Sequence, residues 1–173
     1  RDLQACPTRR QSELVGLGTF TPDGWHRVSL AVDLAADPPL ITKFVDGIKQ
    51  DDWVQQSLDQ NRRALKELSI LFTDGDQDEQ NKWYVNRVQI REGKLSDAEL
   101  ALLGGPSATD GVIAIPETNV TGQWDFNGGL GATIGTDLEF IGGAGGLAET
   151  DTLFENTANL AIEGINGEPT NVM

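Results

Sequence analysis

The sequence predicts an all-β fold, an antiparallel sandwich or jelly roll with one short helix. Three observations lead there. Turn signals recur every dozen or so residues, the segments between them alternate with period two, and a helical period with a capping signature occurs once. A chain of 173 residues is long enough for one domain with a substantial core.

The clearest alternation follows the turn Thr21-Pro22-Asp23-Gly24 and runs from Trp25 to Asp33. It sets His26, Val28, Leu30 and Val32 on one face, expected to be the core face, and Trp25, Arg27, Ser29, Ala31 and Asp33 on the other. After Asp37-Pro38-Pro39, a second strand from Leu40 to Val45 meets Asp46-Gly47, a two-residue hairpin signal, and Ile48-Lys49 begins the return. Asp52 to Leu68 has only a thin apolar stripe and reads as loop plus a short strand. Ser69 to Phe72 reads as a further strand, and Trp83 to Arg91 alternates again, with a strand expected over Val85 to Arg91. Leu95 to Leu100 changes period, with Ser96 and Glu99 spaced as a capping box, and Gly104-Gly105-Pro106 ends the helix. Residues 105–122 have the composition of a linker. Beyond it, Gln123 to Phe126, Leu138 to Ile141 and a segment around Asn159 to Ile165 are expected strands.

Charge narrows the partners. The formal charge is −14, and a surface that neutralises phosphate needs clustered Lys and Arg, so nucleic acid and anionic lipid are disfavoured. The balance is also uneven: 13 basic and 15 acidic residues precede Leu95, whereas 12 acidic and no basic residues follow Lys94. Carboxylate-rich, Lys-poor surfaces suit a secreted or cell-surface setting. No apolar run approaches the length of a membrane span, so membrane insertion is not expected. The single Cys6 forms no intrachain disulfide and reads as a buried or incidental thiol. With its first residue Arg1 and its single Met at position 173, the chain reads as an excised or processed segment.

Trp25-His26-Arg27-Val28, Lys43-Phe44-Val45-Asp46-Gly47, Leu71-Phe72 before Asp74-Gly75-Asp76, and Val88-Gln89-Ile90-Arg91 leading into Leu95-Ser96-Asp97-Ala98-Glu99-Leu100 carry a resemblance. Their order and spacing resemble the laminin-G-like jelly-roll group of the concanavalin A-like lectin/glucanase superfamily, as found in large bacterial secreted proteins. The match covers about residues 20–105. Gln123-Trp124-Asp125-Phe126 resembles the opening strand of such a domain. Residues 1–104 are then the C-terminal part of a jelly roll, 105–122 a linker, and 123–173 opening strands, of the next tandem copy or of a rearranged same domain. In that fold the first strand lies beside the last. Gln123 to Phe126 is therefore expected to pair with Val85 to Arg91, within one chain or exchanged between chains.

The resemblance implies a non-catalytic extracellular module that recognises carbohydrate or another cell-surface ligand. The alternative is a structural, adhesive repeat without a small ligand, self-associating through an edge strand. Trp53 and Trp83 sit in expected loops among polar residues and are the candidate ligand-binding aromatics, whereas Trp25 and Trp124 are expected to pack. In Asp74-Gly75-Asp76-Gln77-Asp78-Glu79, the carboxylates of Asp74, Asp76, Asp78 and Glu79 have the spacing an oxygen-ligated Ca2+ needs, though not EF-hand spacing. A solvated acidic hairpin is the other reading. His26 is expected to be a packed, hydrogen-bonded histidine. Glycosidases of the superfamily carry paired carboxylates on one strand face. Here the nearest pair, Asp137 and Glu139, has no basic neighbour in sequence, and catalysis is not expected. Asn119-Val120-Thr121 matches the N-glycosylation acceptor pattern.

Overall fold

The computed structural model describes residues 24–50, 53–54, 83–107, 119–140, 142 and 145–173. The expected strand Ser69 to Phe72 and residues 1–23 lie outside them. The described elements are mostly strands in antiparallel sheets with a few short helices, so an all-β class fits the described residues. The chain divides into two compact units, Arg1–Arg62 with Leu95–Gly105, and Arg63–Lys94 with Pro106–Met173.

In the first unit, β1 (Val28–Asp33) pairs antiparallel with β2 (Leu40–Val45), Val28 opposite Val45 and Asp33 opposite Leu40. The far edge of β2 is shared by β3 (Ile48–Lys49) and β4 (Trp53–Val54). A central strand covered on both faces loses period-2 burial, and Ile41 to Val45 are all buried. The hairpin from β2 to β3 is the one its sequence predicts. Asp46 and Gly47 both take positive φ, 53° and 77°, as a two-residue primed turn demands.

The expected core face of β1 is corrected. Ala31 is buried, whereas Val28 and Leu30 are each 50% exposed. The cause is α1 (Asp97–Leu102), which brings Leu100 onto Ala31 and Phe44 on the opposite face, flanked by Leu95 and Leu103. Alternation fixes which residues share a face. It does not say which face the helix covers, and the small Ala31 leaves room for it.

The helix itself follows its sequence. Ser96 Oγ accepts from Glu99 N, and the Glu99 carboxylate accepts from Ser96 N, closing the capping box. These bonds from Ser96 hold the Glu99 carboxyl below its ordinary range. At the other end the Arg27 guanidinium donates to Leu103 O, placing positive charge where the helix leaves carbonyls unpaired. Gly104 follows with φ 60°.

In the second unit, β5 (Val88–Arg91) pairs antiparallel with β6 (Val120–Trp124), within the same chain. Val88 lies opposite Trp124, Gln89 opposite Gln123 and Ile90 opposite Gly122, with a bulge before Arg91 meets Val120. The expected pairing of Gln123 to Phe126 with Val85 to Arg91 is therefore present, though β5 begins at Val88 and β6 starts three residues earlier than Gln123 and ends before Phe126. The other edge of β6 carries the return of its own hairpin, through a bridge between Gln123 and Ile134. Trp124 folds back over Gly122, where a Cβ would stand 2.6 Å from the indole, and its Nε1 donates to Thr136 O at 3.0 Å. Phe126 is buried, its ring 6.4 Å from that of Phe154.

Three expectations for this half do not hold. Leu138 to Phe140 form no strand. The segment around Asn159 to Ile165 begins as a helical turn, α3 (Thr157–Leu160), capped by the Asn156 side chain on Ala158 N. A further short helix, α2 (Leu147–Asp151), precedes it, so α1 is not the single helix. One-turn helices are too short for apolar period to reveal. The strands here are instead β7 (Glu155–Asn156) and β8 (Asn171–Val172), paired antiparallel, with Thr157 and Thr170 buried between them in mutual hydrogen bonds. Met173 continues past β8 to exchange two main-chain bonds with Val85, at 3.1 and 2.9 Å.

Gly47 gives a direct test of the first unit. A Cβ there would lie 2.7 Å from Ala101 O, on a residue already at positive φ. Gly47→Ala should destabilise the fold by about 1–3 kcal/mol, read as a lowered midpoint in urea unfolding followed by fluorescence.

Candidate functional site

Period two places Val88 and Ile90 on one face of the β5–β6 pair with Gly122 and Trp124, leaving Arg87, Gln89 and Arg91 on the other with Gln123 and Asp125. That second face is a continuous polar row. Arg91 Nε donates to Gln89 Oε1 at 2.9 Å, and Gln89 Nε2 donates to Gln123 Oε1 at 2.8 Å. Gln123 Nε2 in turn donates to both oxygens of Asp125, at 3.2 and 3.0 Å. Arg87 Nε adds a charged donor to Asp125 Oδ1, and Thr133 Oγ1 reaches Oδ2 at 2.5 Å.

The Asp125 side chain is only 13% exposed. Burial alone would raise its pKa. The hydrogen bonds from Thr133 and Gln123, with the charge and hydrogen bond of Arg87, outweigh burial and hold the carboxyl below its ordinary value. It is an anion with its charge answered locally.

Beside this carboxylate the loop after β6 opens a depression of ≈ 220 Å³. Asp125, Asn127 and Thr133 line it, together with Phe126 and the glycines 128, 129 and 131. Asn127 is tied to the rest of the unit through Asn171, whose Nδ2 donates to Asn127 Oδ1 at 2.9 Å. Asn171 also accepts at Oδ1 from Asn156 Nδ2, and at its main-chain O from Asn86 Nδ2, both at 2.9 Å. Four segments distant in sequence meet at this one asparagine.

Of the residues singled out in the sequence, Trp83 is 60% exposed, next to Tyr84 at 41%. Trp53 lies in β4 opposite Ile41, and its side chain is not among those described. The two tryptophans belong to different units. Asp74, Asp76, Asp78 and Glu79 lie outside the described residues. Among the described residues, no group of three or more His, Cys, Asp or Glu is placed to hold a metal ion. His26 is hydrogen-bonded as expected, its Nδ1 2.6 Å from Asp46 Oδ2, while Asp46 Oδ1 accepts from Arg27 N at 2.8 Å. This ties the entry to β1 to the hairpin turn. Asp137 accepts from Ala132 N and shapes the loop. Asn119, exposed at φ 78°, turns the chain into β6.

Sequence reasoning missed Arg87, Gln89, Gln123, Asp125, Asn127 and Thr133. Alternating polar residues on one strand read as a solvated face. The available signal was joint: once Gln123 to Phe126 is expected to pair with Val85 to Arg91, Gln123 and Asp125 become candidates to face Arg87 and Gln89. Among the described residues, no helix is long and apolar enough to cross a membrane. No protein family, curated protein or solved structure matches the chain.

Asp125 makes the unit acid-labile in a defined window. Its folded pKa is depressed, so its contribution is complete above the ordinary value of 3.8 and is lost as pH falls through the lower folded value. Asp125→Asn should cost about 1–3 kcal/mol at neutral pH and flatten the loss of stability below pH ~4. Unfolding midpoints measured across pH in both proteins check this, and parallel pH profiles would contradict it.

Proposed function

We propose that the chain is a non-catalytic recognition module that binds carbohydrate or another cell-surface ligand, as part of a secreted or surface protein. The observation that carries this reading is Trp83, a large aromatic side chain 60% exposed in the segment that leads into β5. Burying such a ring yields binding energy, and its face suits the apolar side of a sugar ring. The two main-chain bonds between Val85 and Met173 tie the chain to the unit two residues after the ring. The jelly-roll arrangement, with residues 1–104 and 123–173 as parts of laminin-G-like domains, belongs to the same proposal. The charge answered at Asp125 by Arg87 and two neutral donors also fits a structural carboxylate better than a general acid or base.

On a glycan array the protein should bind a restricted set of glycans, and Trp83→Ala should abolish that binding without lowering the unfolding midpoint. Self-association with no glycan bound would favour the structural-repeat reading instead, and sustained release of reducing sugar from β-glucans would overturn the non-catalytic one.

Calcium at the loop Asp74 to Glu79 is the second part of the proposal, motivated by its alternating carboxylates. A bound ion stabilises by mass action, so millimolar calcium should raise the melting temperature relative to EDTA. Superimposed melts would remove the ion from the account.

A further inference from the structure

We infer that the depression beside Asp125 is a subsite for a neutral, hydroxylated ring such as a hexopyranose, lying at the same end of the second unit's sheet as Trp83. The inference rests on the recognition reading above and assigns it a second set of residues.

Position comes first. Read backwards from Val88, β5 leads to Trp83; read forwards from Trp124, β6 leads to Asn127. Because the strands are antiparallel with Val88 opposite Trp124, both continuations leave the sheet at one end. Asn171 joins them there, accepting from Asn86 and donating to Asn127. An aromatic ring and a polar depression at one sheet end are the two parts that a sugar site combines: a face for the apolar side of a ring and convergent groups for its hydroxyls.

The hydrogen-bonding inventory then selects the ligand. Asp125 accepts from Arg87, from Thr133 and from Gln123 Nε2, which lies within reach of both its oxygens. Arg87 beside it offsets its charge. Because Thr133 gives its proton to Asp125, its Oγ1 is left as an acceptor of fixed orientation. Asn127 commits Oδ1 to Asn171 and keeps its Nδ2 donors without a protein acceptor among the described residues. The main-chain N–H groups of Gly129 and Gly131 make no hydrogen bond among the described residues. The residues that line the depression thus carry donors and one oriented acceptor, and the one charged group among them, Asp125, is paired with Arg87. Sugar hydroxyls, which donate and accept together, match that set. Anionic ligands do not, because from Leu95 onward the chain has 12 acidic and no basic residues. At ≈ 220 Å³ the space is below the ~300–1,000 Å³ of drug-sized pockets and suits one ring.

Glycine makes the inference testable without disturbing the fold. A Cβ on Gly129 meets nothing within 4 Å, and that residue is not at positive φ. Gly129→Leu should fold normally and fill the depression. The experiment titrates the whole chain with the methyl glycosides of glucose, galactose and mannose, read by amide chemical shifts. At least one should perturb Gly129, Gly131 and the Trp83 indole N–H saturably. Gly129→Leu should weaken it by about tenfold or more, the loss of roughly one good hydrogen bond, with an otherwise unchanged spectrum. A glycoside that perturbs Trp83 but neither glycine, with equal affinity for Gly129→Leu, would overturn the subsite and leave the recognition reading standing. Failure of every glycoside, together with an empty glycan array, would overturn both. Tighter binding of methyl glucuronide than of methyl glucoside would overturn the neutral-ligand assignment.

Discussion

The second unit depends on one long-range pairing, that of Val88–Arg91 with Val120–Trp124. Main-chain bonds between segments some thirty residues apart carry a loop-closure cost, and side chains on both faces offset it. On one face Trp124 packs back over Gly122 beside Val88 and Ile90; on the other, Arg91, Gln89, Gln123, Asp125 and Arg87 form an unbroken hydrogen-bonded row. Register is what makes the row possible. A slip by one residue would turn Gln123 toward the apolar face and Trp124 toward the polar one.

The same pairing sets where chemistry can occur. It fixes Asp125 beside Arg87, and Asp125 fixes the proton of Thr133. It also carries the aromatic residues before β5 and the glycine loop after β6 to one end, where Asn171 joins them. Asp125 is held by three neighbours in the row and its hairpin, which is why a half-buried carboxylate can remain charged there. Recognition surfaces gain from such preorganisation, because groups already held in place lose little entropy when a ligand arrives.

The parts of this structure legible in the sequence were those set by local chemistry. Asp46-Gly47 named its hairpin, Ser96 and Glu99 named their capping box, and the turn spacing named an all-β chain. Pairing of the two distant strands was also expected, from a resemblance to a fold whose first strand lies beside its last, and the register bears the pairing out. What escaped depended on tertiary context. Val28 and Leu30 alternate as a core face should, yet α1 packs on Ala31, and no pattern within one strand can say which side a helix will take. The helical turn at Thr157–Leu160 was hidden by its length, and Asp125 by its neighbours, since Trp124 and Phe126 drew the eye to the apolar face.

Cross-strand proton contacts test the central claim most directly. In a uniformly labelled sample, nuclear Overhauser contacts should join Gln89 to Gln123 and Ile90 to Gly122, following the register. In an equal mixture of labelled and unlabelled chains, filtered for contacts between molecules, those same contacts should vanish. Their absence from the uniform sample, or their appearance between chains, would contradict a sheet built within one chain and the site derived from it.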